Sequence, residues 1–268
     1  MDTVTSRDGT TIAFDRYAEG GGPAVILIGG ALSNRAFDPL NAPLAALLAP
    51  EYTVYNYDRR GRGDSGDTPP YAVEREVEDI EALIAHAGGQ AYLYGLSSGA
   101  VLALHAARRL PVAVRKVVAY EPPFIVDGSH APRPDDYPDR VREAVAAGRP
   151  GDPVEVFMTF VGVPAEALPA MRDEPFWPAL EAVAHTLAYD YAVMGDTQRG
   201  VPLPRKPWAS ITTPTLVVDG EKTEPFLHSG ADAIAELLPD ATRRTLPGQD
   251  HAVAPEAIAS VLHEFFTV

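Results

Sequence analysis

The chain has no cysteine among its 268 residues. Disulfides, thiolate metal centres and a cysteine nucleophile are excluded together. Basic residues are scarce: Lys and Arg number 22 against 37 Asp and Glu, a formal net charge of −15. A surface of that sign repels nucleic acid and anionic membranes, so neither is an expected partner. Long hydrophobic runs are missing too. The longest, PAVILIGGAL at 23–32, is far short of the ~20 residues that span a bilayer. The opening stretch MDTVTSRDGTTIAFDRY lacks the apolar segment of a secretion signal. These absences lead us to expect a cytoplasmic protein, monomer or homodimer, whose partner is a small-molecule substrate. No repeat recurs, and no His or carboxylate spacing suits a metal. GGG at 20–22 lacks the Lys-Ser/Thr of a phosphate loop and reads as a hairpin turn, while GGALSN at 29–34 lacks the third glycine of a dinucleotide fingerprint. No cofactor is expected.

What the chain does have is a rhythm. Hydrophobic residues make up 46 % and charged residues 22 % of it, a globular balance. Its length would make one large α/β domain or two small ones. Short β-branched or aromatic runs (AVILIGG, TVYNYD, AYLYGL, VRKVVAYE, TPTLVVDG, TRRTLPG) recur, and longer helical patterns follow most of them. Continuous apolar strands alternating with amphipathic helices predict a mostly parallel sheet with helices on both faces. The N-terminal segment turns at Asp8-Gly9, a hairpin signal. Residues 122–208 break the alternation with Pro-rich and aromatic sequence (EPPF, APRPDDYPDR, EPFWPALEAVAHTLAYDY). Helical pieces are legible there and strands are not. Phe157, Phe160, Trp177, Tyr189 and Tyr191 make the stretch too apolar for a linker. We therefore expect a core of 1–121 and 209–268 with a helical cap inserted at 122–208.

GLSSG at 95–99 stands where a strand pattern ends and a helix pattern begins. Gly-x-Ser-x-Gly in that context is what a nucleophile elbow needs: a serine on a strained turn, and glycines that let neighbouring backbone pass close. The register puts Ser97 at the centre. Ser98 opens the helix, whose N-terminal N–H groups face developing negative charge.

These residues resemble the α/β-hydrolase superfamily, and the resemblance runs over nearly the whole chain. VILIGGALSNRAFDPL is similar to the family's segment after the third strand, with Gly29-Gly30 where His-Gly is usual. By that resemblance the N–H groups of Ala31 and Ser98 form the oxyanion hole. YDRRGRGDS at 57–65 is similar to the family's Asp-x-Arg-Gly-x-Gly-x-Ser loop, carried here by Asp58, Arg60, Gly61, Gly63 and Ser65, and is taken as architecture.

A serine hydroxyl needs a base within reach. Of the seven histidines, the resemblance selects His251, which follows the last strand pattern in a Gly-x-x-His setting from Gly248. His86, His105 and His263 fall in helical patterns and read as surface or packing residues, as does His185 within the insertion. The acid departs from the family pattern, because Thr223 stands where an Asp is usual. Glu121, directly after the sixth strand, is preferred on the resemblance to hydrolases that draw their acid from that place. Asp219 and Glu221 remain alternatives.

The expected function is a cofactor-free serine hydrolase of a small, largely apolar ester or lactone. Phe124, Phe157, Met158, Trp177 and Tyr189 are candidate walls of its substrate pocket. C–C bond hydrolysis or acyl transfer would use the same machinery. A non-catalytic ligand-binding protein on this fold is the reading from another class, favoured by Thr223 and opposed by the intact Ser97 and His251.

Overall fold

Asp8-Gly9 turns the chain between β1 (Asp2–Thr5) and β2 (Thr11–Tyr17), which pair antiparallel. Asp8 Oδ1 accepts the Thr10 N–H at 3.0 Å, and Gly9 takes φ 88°, a side-chain turn closed by a residue free to adopt positive φ. The computed structural model describes residues 1–267. Six more strands follow: β3 (Ala24–Ile28), β4 (Thr53–Tyr57), β5 (Ala91–Leu96), β6 (Val114–Tyr120), β7 (Thr215–Gly220) and β8 (Ala241–Leu246). They make one sheet in the order β1-β2-β4-β3-β5-β6-β7-β8. From β4 to β8 all neighbours are parallel. The chain has the α/β-hydrolase fold.

Residues 20–22 do not make the expected hairpin turn. β2 and β3 both pair with β4, one antiparallel and one parallel, so the segment crosses over a strand instead of linking neighbours.

Among the described residues eleven α-helices accompany the strands: α1 (Asn41–Leu48), α2 (Val73–His86), α3 (Ser98–Arg109), α4 (Tyr137–Ala146), α5 (Gly151–Phe160), α6 (Leu168–Arg172), α7 (Trp177–Ala182), α8 (Leu187–Met194), α9 (Arg205–Trp208), α10 (Pro225–Leu237) and α11 (Pro255–Thr267). The strand alternation decides which helix covers which face. On β3, Ala24, Ile26 and Ile28 join Ile80 and Leu83 of α2, Leu104 of α3 and Ile234 of α10. Val25 and Leu27 point the other way, toward Leu44 and Leu48 of α1 and Ile258 and Leu262 of α11. Each such Leu or Ile contributes about 1.5–3 kcal/mol by leaving water. None of the helices among the described residues is long and apolar enough to cross a membrane.

Helices α4 to α9 lie between β6 and β7. Among the described residues this stretch has no strand, only the bridge Ile125–Gln198. Val141, Val154, Leu180 and Leu187 form a separate hydrophobic cluster there. Both ends of the stretch are sewn into the main core instead, with Phe124 and Trp208 packed at 5.5 Å between ring centres.

Candidate active site

Ser97 sits where β5 runs into α3, at φ 57° and ψ −125°. A backbone of that kind costs about 1–3 kcal/mol and persists only where its surroundings hold it. Here Ser97 N–H donates to Tyr120 O at 2.9 Å, and Ser97 O accepts from Ala100 N–H at 2.9 Å. The flanking glycines are required by space. A Cβ on Gly95 would stand 2.3 Å from Gly99 O, and one on Gly99 would stand 2.2 Å from Ile28 O. Among the described residues three non-glycines have positive φ: Leu32, Ser97 and Glu121.

Glu121 follows β6, beside the strand that carries the elbow. Its side chain is completely buried. Oε1 accepts the Gly220 N–H at 2.8 Å, and Oε2 accepts His251 Nδ1–H at 2.6 Å. His251 lies on the loop between β8 and α11, half-exposed, and the preceding residue is tied down by Tyr120 Oη donating to Asp250 O at 2.6 Å. The other two carboxylates point elsewhere. Asp219 accepts from His228 Nδ1 at 2.5 Å and is paired with Arg243. Glu221 accepts the Gly248 N–H at 2.8 Å. Thr223 Oγ1 has no partner among the described residues.

Two cavities meet at Ser97 and His251. The larger holds about 550 Å³ and is lined by Ala31, Leu32, Phe37, Leu40, Leu96, Phe157 and Met158, among others. The smaller holds about 410 Å³ and is walled by Phe157, Phe160, Met194 and Leu227 together with Arg133 and Gln198. Of the five residues expected to wall the pocket, Phe157 and Met158 do so. The other three do not. Phe124 is fully buried in the main core. Trp177 is buried in the inserted helices, where Nε1–H donates to Glu181 Oε1 at 3.0 Å. Tyr189 stacks on Tyr71 with ring centres 3.9 Å apart, and its hydroxyl donates to Asp67. All three spend their apolar area on packing between elements.

Ala31 lines both cavities. Its N–H has no hydrogen-bond acceptor among the described residues. As the first residue of α3, Ser98 has an N–H that no carbonyl within the helix can accept. The loop after β4, read from sequence as architecture, braces these two donors directly. Arg62 Nη1 donates to Gly30 O at 2.5 Å. A trans peptide points its C=O and N–H in opposite directions, so holding Gly30 O orients the Ala31 N–H. Arg59 donates to Ser98 Oγ at 3.3 Å and to Asp190 at 2.7 Å, and Ser98 Oγ–H itself donates to Asp190 Oδ1 at 2.7 Å.

This network was not legible in the sequence. Arg59, Arg62, Glu76 and Asp190 are all buried, and they link α2, the β4 loop, the elbow and α8. Burial holds the Arg62 guanidinium below its ordinary proton affinity, and the adjacent Arg59 adds to that effect against Asp190 and Glu76. Burial alone would raise the Asp190 carboxyl, but Arg62 and Arg59 outweigh it and keep it below the usual carboxylate range. Asp190→Asn therefore leaves two buried guanidinium groups short of charge. We expect it to destabilise the fold by about 3–5 kcal/mol, read from the urea midpoint. Ser98→Ala removes two hydrogen bonds to charged groups, the donation to Asp190 and the longer one accepted from Arg59, and is expected to cost about 1.5–3 kcal/mol. Because alanine supplies the same N–H, kcat/KM should stay within about tenfold of wild type, ~1.4 kcal/mol. Among the described residues no three His, Asp or Glu side chains are grouped so as to hold a metal ion.

Comparison with known proteins now fits the geometry. The model of the Alpha/beta hydrolase family matches residues 25–261. The chain belongs to the alpha/beta hydrolase family. This alpha/beta hydrolase is 30 % identical over 257 residues to a 2-(acetamidomethylene)succinate hydrolase of Mesorhizobium japonicum, covering 92 % of this chain and 89 % of that one. It is also 30 % identical over 262 residues to a pimeloyl-(acyl-carrier protein) methyl ester esterase of Xanthomonas campestris, covering 92 % and 96 %. A crystal structure of an alpha/beta hydrolase from Sphaerobacter thermophilus superposes with a TM-score of 0.89 at 52 % identity, over 99 % of this chain and all of that one. At family level the protein is a hydrolase.

Proposed function

We propose that this hydrolase cleaves a small ester or lactone, largely apolar around the scissile bond, through an acyl-enzyme on Ser97. The observation that carries the reading is the 2.6 Å hydrogen bond from His251 to the buried Glu121, at a cavity that Ser97 lines from its strained elbow. Glu121 fixes His251 with its proton on Nδ1, which leaves Nε2 free to take the Ser97 proton. His251 Nε2 then gives that proton to the leaving alcohol, and repeats both transfers with water to release the acid. The N–H groups of Ala31 and Ser98 hold the oxyanion in both tetrahedral intermediates. Among the described residues no hydrogen bond yet joins Ser97 Oγ to His251; such contacts commonly tighten when substrate binds.

The helices at 122–208 act as the cap that closes the cavity over the nucleophile. Phe157 and Met158 contribute its apolar wall, and a volume of about 550 Å³ lies within the ~300–1,000 Å³ of ordinary small-molecule sites. Two of the relatives are named as a 2-(acetamidomethylene)succinate hydrolase and a pimeloyl-(acyl-carrier protein) methyl ester esterase, names that support hydrolysis; the small size of the substrate rests on the cavity. The non-catalytic reading drew its support from Thr223, and a carboxylate on His251 from β6 removes that support. A fluorophosphonate probe tests the proposal. Labelling should be rapid and should map to Ser97 by peptide mass spectrometry. Folded protein that resists the probe, or labels at another residue, would count decisively against it.

A further inference from the structure

The smaller cavity contains polar groups that ester cleavage does not use. Arg133, on the loop before α4, is only 6 % exposed and lines this cavity beside the nucleophile. Among the described residues its guanidinium makes neither a hydrogen bond nor an ion pair. It is surrounded by rings, with the guanidinium carbon 4.3 Å from the centre of Phe160, 5.2 Å from Tyr137 and 5.8 Å from Phe157. Aromatic faces attract a cation but give its five N–H donors no directed acceptor. A buried cation without a counter-charge is costly, and burial lowers the Arg133 pKa accordingly.

Gln198 and Thr223 also line this cavity, but the two atoms of theirs without partners among the described residues, Gln198 Oε1 and Thr223 Oγ1, are buried behind its wall. Gln198 Nε2–H donates to Pro123 O at 2.9 Å, and Gln198 O accepts the Arg133 N–H at 3.3 Å, so both residues are held in the wall. Asp190 also borders the cavity, but its oxygens already accept from Arg59, Arg62 and Ser98. Lys222, Glu224 and Asp250 line the cavity with exposed side chains, where water screens them. The neighbourhood thus offers an unsatisfied guanidinium fork, which matches a planar anion.

We propose that Arg133 binds a carboxylate carried by the substrate, making the substrate class a carboxylate-bearing ester or lactone. Arg133 donates both prongs of its fork. The apolar remainder occupies the larger cavity. This deepens the serine-hydrolase reading and rests on it for the reacting bond alone.

The test compares mono-p-nitrophenyl adipate with p-nitrophenyl hexanoate, chains of equal length with and without a terminal carboxylate. In Arg133→Gln the ratio of kcat/KM for the charged over the neutral ester should fall at least tenfold, mainly through KM. Arg133→Lys should restore part of it, which a merely structural arginine would not predict. Where the Gln variant does not fold, Arg133→Lys decides on the same ratio: a fall of threefold or more supports the proposal, and no change overturns it. Calorimetry of free adipate on Ser97→Ala, with and without Arg133→Gln, separates the two readings. Arg133-dependent adipate binding without Ser97-dependent turnover would sink the hydrolase mechanism and keep the carboxylate site. Ser97-dependent turnover with an unchanged ratio, and adipate binding indifferent to Arg133, would sink the carboxylate site and keep the hydrolase.

Discussion

Ser97→Ala is expected to lower ester turnover by roughly 10⁴–10⁶-fold while leaving the urea midpoint close to wild type. Alanine keeps the Cβ, so the strained φ of 57° and the hydrogen bonds of residue 97 with Tyr120 and Ala100 are retained. Only the hydroxyl is lost, and with it the covalent route. A residual rate over water should survive, since the N–H groups of Ala31 and Ser98, the proposed oxyanion donors, are untouched and would stabilise direct attack by water. The loss should appear in kcat with little change in KM, because the Ser97 hydroxyl contributes to the reacting geometry more than to ground-state binding. The paired serines offer an internal control. Ser98→Ala should be less stable yet active, since its hydroxyl serves Asp190 and Arg59. An inactive, folded Ser98→Ala beside an active Ser97→Ala would show that the elbow has been read one residue out of register.

The second large effect belongs to Glu121. Glu121→Gln should reduce kcat by on the order of 10²–10⁴, by the logic of amide replacements of a triad acid. The amide oxygen can go on accepting the Gly220 N–H that Oε1 accepts now at 2.8 Å, so the loop geometry has reason to persist. The amide N–H₂ then faces His251 Nδ1 and donates to it. That places the imidazole proton on Nε2, the atom that must be bare to accept from Ser97. Asp219→Asn and Glu221→Gln should each cost less than about tenfold in kcat, ~1.4 kcal/mol, because these carboxylates serve Arg243 and His228, and the Gly248 N–H. Asp219→Asn should instead register in stability, by loosening the pairing of β8 and α10 through Arg243 and His228. A folded Glu121→Gln variant within tenfold of wild-type kcat would end the assignment of Glu121 as the triad acid.

How far the sequence goes depends on whether a feature is local. The elbow is local as a pattern: strand, Gly95, Ser97, Gly99 and helix are contiguous, and Gly95 is required by the Gly99 carbonyl within the same five residues, although the carbonyl that excludes a side chain at Gly99 belongs to Ile28 on β3. Strand and helix periods are local too, so a parallel sheet with helices on both faces could be read without knowing the strand order. The candidate base, His251, was marked by the resemblance, which places such a histidine between the last strand and the last helix. Other features depend on partners far along the chain. Whether Glu121, Asp219 or Glu221 meets His251 is a matter of which strand ends converge on one loop. Sheet order and side-chain direction decide that, and neither has a pattern in sequence. The aromatics of the insertion were indistinguishable as pocket or packing, because hydrophobicity specifies burial and not what lies opposite. Phe157 faced a cavity, whereas Phe124, Trp177 and Tyr189 faced other elements. The arginines were the least legible. The loop at 57–65 was taken as architecture, but which of its arginines turn inward has no pattern, since a guanidinium enters a protein interior only where an acceptor waits, and the carboxylate that receives Arg62 lies 128 residues away at Asp190. Arg133 is the converse case, a cation carried into the interior by the packing of aromatic rings around it. Its burial, and the lack of a hydrogen-bond partner for its guanidinium among the described residues, are properties of the tertiary structure alone.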